Sequence, residues 1–167
     1  SMVIHGDNRY HAVLGNSGPA YFVNPSSLAP ALIALGAKIN LFGPNGSRTV
    51  LLKDLYVIPK KEGERELSLQ NSEIVTDIFV PPATNWKNAT YEVRQKEALD
   101  WPLATAAVSL ETKGNIIDKA RIVMGHVAPI PWRAPDAENY LTGQKLNKTI
   151  AERAGKIALK GAKALSR

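Results

Sequence analysis

The feature that most constrains this chain is a pair of long β-compatible runs, residues 103–110 and 116–128, separated by the link Thr112-Lys113-Gly114-Asn115. Two such runs on either side of a short, polar, glycine-containing link satisfy their backbone groups most simply by pairing with each other, so they predict an antiparallel hairpin. Upstream, Tyr91 and Val93 alternate with Glu92 and Arg94 in the manner of a half-buried strand, and Asp100-Trp101-Pro102 interrupts the pattern. Downstream the period changes. Pro135 fits the first position of a short helix ending at Gly143, and Thr149-Ile150-Ala151-Glu152 has the spacing of a capping box. After it, Ile150, Ala154, Ile157, Ala158, Ala162 and Leu165 fall on one apolar stripe. Strands followed by helices predict the α+β class, with an antiparallel sheet packed on C-terminal helices.

The N-terminal half reads differently. Ala20, Tyr21, Phe22 and Val23 predict a short buried strand, and Asn24-Pro25-Ser26-Ser27 is a cluster of helix-start residues. In the helix that follows, Leu28, Leu32 and Leu35 share a face, Pro30 is confined to the first turn, and Gly36 supplies a left-handed stop. Residues 37–42 and 48–52 flank Gly43-Pro44-Asn45-Gly46-Ser47 and predict a second hairpin, while residues 59–65 read as an exposed loop. Ile74, Thr76, Ile78 and Val80 alternate with Val75, Asp77 and Phe79 as a strand that Pro81-Pro82 ends. The double proline suits a linker, which gives expected domains at 1–82 and 88–167.

Composition excludes several chemistries. The chain of 167 residues has no cysteine, so disulfides, thiolate nucleophiles and clusters held by its own thiolates fall away. No apolar run reaches the roughly 18 residues of a membrane span, and the expected location is cytoplasmic, with no membrane partner. The net charge of +6 is concentrated near the end, where Lys145, Lys148, Arg153, Lys156, Lys160, Lys163 and Arg167 face only Glu152. With no aromatic among them to stack a base, they read as a solvated helix face rather than a nucleic-acid arm. His5, His11 and His126 lack ligand spacing for a metal; His126 reads as a structural imidazole, and the other two as exposed near the terminus. The Gly-x-Ser-x-Gly elbow, the P-loop ending and Gly-x-Gly-x-x-Gly are all missing.

What remains is the helix start at Ser26 and Ser27, where hydroxyls and free backbone N–H groups suit an anion or a ribose oxygen, or simply cap the helix. Trp101 beside Asp100 and Trp132 beside Arg133 suit ring stacking, although such residues more often pack at strand ends.

Taken together, several stretches resemble one family along nearly the whole chain. They are Gly6-Asp7-Asn8-Arg9-Tyr10-His11-Ala12, Asn24-Pro25-Ser26-Ser27-Leu28-Ala29-Pro30-Ala31-Leu32, Leu35-Gly36-Ala37-Lys38, Glu73-Ile74 with Ile78-Phe79-Val80-Pro81, Asp100-Trp101-Pro102-Leu103, and the run from Gly125-His126-Val127-Ala128-Pro129 to Ala134. Their order and spacing resemble the FAD-binding subunit of the xanthine dehydrogenase and carbon monoxide dehydrogenase group. The resemblance implies a small α/β second lobe of a flavin domain, followed by that family's α+β C-terminal domain. It also implies FAD as cofactor, electron transfer as function, and iron-sulfur and molybdenum subunits as partners. The family's first lobe, with its glycine-rich phosphate-binding stretches, has no counterpart in these 167 residues. A separate N-terminal FAD lobe is therefore an expected partner, and a homo-oligomer through exposed apolar surface is another. By resemblance, Ser26, Ser27 and Val75 are the cofactor-binding residues; Ser27 stands where relatives carry an aspartate, and Val75 at an apolar position beside the flavin ring. The implied role is a partial flavoprotein subunit, not catalytic by itself; the alternative is a stand-alone binding or assembly module that has lost FAD.

Overall fold

The computed structural model describes residues 5, 6, 8–96 and 100–165. A three-stranded antiparallel sheet is built from β1 (Lys38–Gly43), β2 (Gly46–Leu51) and β3 (Ile74–Phe79) in the order β2-β1-β3. Helix α1 (Leu28–Ala34) precedes it, and a single turn, α2 (Leu52–Leu55), follows β2. The second sheet runs β4-β5-β6-β7, from β4 (Trp86–Arg94), β5 (Pro102–Lys113), β6 (Ile116–Gly125) and β7 (Trp132–Arg133), all antiparallel. Helices α3 (Pro135–Leu141) and α4 (Lys148–Ala158) close the chain. The mixed architecture and both hairpins are those the turn signals predict.

The larger sheet is covered on both faces, and alternation along β6 shows how. Ile122 and Met124 enter a core with Leu110, Leu141 and Ala154, beneath α3 and α4. Val123, between them, turns the other way and joins Ala107, Ile33, Ile39, Leu41 and Leu55. The register sets Ala107 directly across from Val123, so the pair forms the floor on which α1 rests. Full burial of a branched aliphatic side chain contributes about 1.5–3 kcal/mol, and Leu41, Ile117 and Val123 are the largest such contributors. Helix α1 stops where Gly36 adopts φ +77°, with its N–H donating to Ile33 O at 2.9 Å.

Three expectations about local structure fail. Residues 20–23 form no strand: their backbone bonds run to scattered partners, such as Tyr21 O accepting from Ala12 N, and Ala20 is buried in an irregular loop. The cap of α4 is Asn147 rather than Thr149, because the Asn147 side chain already accepts from Ile150 N at 2.9 Å, which leaves Thr149 inside the helix. The stripe ends at Ala158; Ala162 and Leu165 lie beyond the helix, in a tail that turns back so that Lys163 N donates to Val13 O at 2.8 Å. Arg167 of the basic run lies outside the described residues, and the other six cations are exposed.

Candidate functional site

Two neighbouring clefts meet at Trp101. The larger, about 590 Å³, has Tyr10, His11, Leu103, His126 and Val127 among its walls. The smaller, about 350 Å³, is bounded by Pro25, Ser27, Arg94, Asp100 and Pro102. Trp101 lines both and leaves 66% of its surface exposed. The packed-strand-end reading is therefore wrong for Trp101 and right for Trp132, which packs against the core and against Gly15. The physical difference is position: Trp132 sits in β7 under the helices, whereas Trp101 precedes β5 at the open end of the sheet.

Asp100 fixes the approach to β5. Its Oδ1 accepts from Trp101 N and its Oδ2 from Lys96 N, each at 3.1 Å, so one carboxylate holds the backbone at both residues. In the larger cleft the Tyr10 hydroxyl donates to Gln95 Oε1 at 3.1 Å. Arg94, beside Ser27, is paired with Glu92 on its own strand. These contacts join residues as far apart in sequence as 10 and 95, so no local pattern announces them.

His126 is structural, as its sequence context predicts. It is buried at φ +64°, and its Nε2 donates to Pro25 O at 3.3 Å. With the proton there, Nδ1 accepts from the Thr105 hydroxyl at 3.1 Å, and no ring nitrogen is left for chemistry. His11 departs from the expectation of exposure: it is half-buried and holds the C-terminal tail.

The predicted cofactor residues separate. Ser26 Oγ accepts from Ala29 N at 3.0 Å, so it caps α1, and it also bonds Tyr56, whose phenol burial pushes up while that bond pulls it down. Ser27 makes no side-chain cap bond and faces the smaller cleft. Val75 lies on β3, opposite Leu41, and is exposed there, but it is not part of either cleft wall. Among the described residues no three His, Asp or Glu side chains gather as a metal site requires, and no helix is long and apolar enough to cross a membrane.

Two family models divide the chain. Residues 16–83 match the FAD binding domain in molybdopterin dehydrogenase, and residues 89–167 match the CO dehydrogenase flavoprotein C-terminal domain. The chain belongs to the flavoprotein-subunit family of the xanthine dehydrogenase and carbon monoxide dehydrogenase group. Among similar proteins, the FAD-binding subunit PaoB of an Escherichia coli aldehyde oxidoreductase is 29% identical, over 83% of this chain and 43% of its own length. The carbon monoxide dehydrogenase medium chain of Afipia carboxidovorans is 31% identical, over 90% of this chain and 50% of its own. The nicotine 6-hydroxylase medium subunit of Paenarthrobacter nicotinovorans is 35% identical, over 81% and 44%. In three dimensions, carbon monoxide dehydrogenase from Hydrogenophaga pseudoflava aligns with a TM-score of 0.73 at 27% identity, over 96% of this chain and 50% of that one. This flavoprotein-family chain thus spans about half the length of the relatives it matches.

Proposed function

We propose that this chain supplies one wall of an FAD site in a molybdenum hydroxylase-type oxidoreductase, with residues 1–82 as the second lobe of the flavin domain and 88–167 as the C-terminal domain. The observation that carries this reading is the exposed indole of Trp101 at the junction of two clefts, one of them lined by Ser27. The residues present suit the ring half of a flavin: an open aromatic face and the Ser27 hydroxyl free of capping duty, with the apolar Val75 exposed on β3, outside both clefts. They do not suit its pyrophosphate, since α1 has seven residues and Ser26 already occupies the Ala29 N–H. When bound, FAD accepts a pair of electrons and passes them on, so the task of this chain is to hold the ring and shield it from water.

A separate N-terminal FAD lobe is the partner that fits this division. Ile74, Val75, Ile78 and Phe79 on β3 and Tyr91 and Val93 on β4 are exposed apolar side chains that a covering lobe would bury. Iron-sulfur and molybdenum subunits are the further partners on this reading, and a second copy of the chain competes for the same surface.

The test is calorimetric and fluorescence titration with FAD, on the chain alone and after addition of an N-terminal lobe expressed from a relative. Binding only with the lobe, weakened about tenfold or more by Trp101→Ala, is the expected result. Ser27→Asp, which restores the carboxylate that relatives carry, is expected to tighten it. Absence of binding in both mixtures would leave the alternative, a binding or assembly module without FAD.

A further inference from the structure

His11 makes two contacts whose chemistry fixes its protonation. Its Nδ1 lies against Asn8 O, and a carbonyl oxygen only accepts, so Nδ1 carries the proton. Its Nε2 faces Leu165 N at 2.9 Å, and an amide N–H only donates, so Nε2 carries none. The neutral imidazole with its proton on Nδ1 is the one form that satisfies both. It joins positions 154 residues apart, next to a second tie in which Lys163 N donates to Val13 O at 2.8 Å.

We propose that His11 is a protonation-operated latch for residues 163–165, a segment that in the neutral state is pinned behind the wall of the larger cleft. A second proton on the ring turns Nε2 into a donor facing another donor, so the Leu165 contact is lost. The cleft wall at His11 is then freed from the tail, which makes the cleft respond to acidification. The titratable and charged groups sharing that cleft are Arg9 and Tyr10 on the same segment, Asp100 before β5 and His126 after β6; Lys163 is the cation on the tail itself. His126 is committed to Pro25 and Thr105, which leaves His11 as the imidazole of this cleft whose partner changes on protonation.

The experiment is NMR on the intact chain from pH 8 to pH 5. Ring nitrogen shifts should place the neutral-state proton on Nδ1. Exchange of the Leu165 amide, normalised to its intrinsic rate, should lose about tenfold protection as the pH falls. The Val13 amide, which donates to Val127 O at 2.9 Å, should keep its protection and so report that the fold is intact. In His11→Phe the Leu165 amide should be unprotected throughout, with no step in pH. A neutral proton on Nε2, unchanged Leu165 protection across the titration, or a step persisting in His11→Phe would each overturn the latch.

Discussion

The guanidinium of Arg121 lies 4.3 Å from the ring centroid of Trp86, two strands away on the larger sheet. From that stacked position its Nη1 donates to Ala34 O at 3.2 Å, so one side chain on β6 both covers a β4 aromatic and satisfies a carbonyl at the end of α1. It clamps the N-terminal helix to the C-terminal sheet. Arg121→Ala is expected to lower stability by about 1–3 kcal/mol through the lost stack and the orphaned carbonyl. Arg121→Lys should recover less than half of that, because an ammonium lacks the planar face. Urea unfolding midpoints at constant slope measure both.

Glu73 predicts a specific acid sensitivity. Arg48 grips its carboxylate through Nε at 2.6 Å and Nη2 at 2.8 Å. That hydrogen bonding, together with the Gln70 N–H, holds the carboxyl down to about 2 from its ordinary 4.5. A carboxyl lowered on folding stabilises the native state above its unfolded pKa, and the contribution is lost as pH falls towards the folded value. Stability should therefore decline between pH 4.5 and about 2. In Glu73→Gln that part of the decline should disappear, as read from urea midpoints across the pH series.

The buried carboxylate of Glu138 has a different task. It accepts from Ile122 N at 2.9 Å and pairs with Arg133, tying α3 to β6 and β7 at once. Glu138→Ala leaves a buried N–H and a half-buried guanidinium without their acceptor, an expected loss of about 2–4 kcal/mol. Thermal melts should show it, while Asp136→Ala on the same helix, exposed, should change little.

Gly15 leaves no room for a side chain. Its φ is +62°, and a Cβ there would lie 2.4 Å from the Trp132 ring. Gly15→Ala is expected to cost about 1–3 kcal/mol and to shift Trp132 emission as the indole is pushed aside. An unchanged spectrum and midpoint would contradict the packing described.

Where turn chemistry is local, the sequence is a sufficient guide. Gly114-Asn115 between two β-branched runs made the β5-β6 hairpin readable, and Gly36 marked the end of α1, because each signal acts over a few residues. The residues 20–23 failed as a strand for the opposite reason: apolar character indicates burial, but a strand also needs a continuous partner, and none of the neighbouring segments supplies a ladder. At α4 two polar residues competed for one cap, and the Asn147 side chain, two residues earlier, won it from Thr149.

The candidate site divides in the same way. Ser26, Ser27 and Val75 were legible through the family likeness of their short motifs, and Trp101 through its place beside Asp100. That Trp101 stays open while Trp132 is enclosed, that Ser26 is consumed by capping while Ser27 is not, and that His11 reaches Leu165 were decided only by the tertiary structure. Sequence alone determined the class, two hairpins and the absence of thiol chemistry, because turn residues and composition act without reference to distant parts of the chain. Cleft walls, the Arg121 clamp and the His11 latch depend on contacts spanning 35 to 154 residues, whose formation is settled by packing two layers on one sheet.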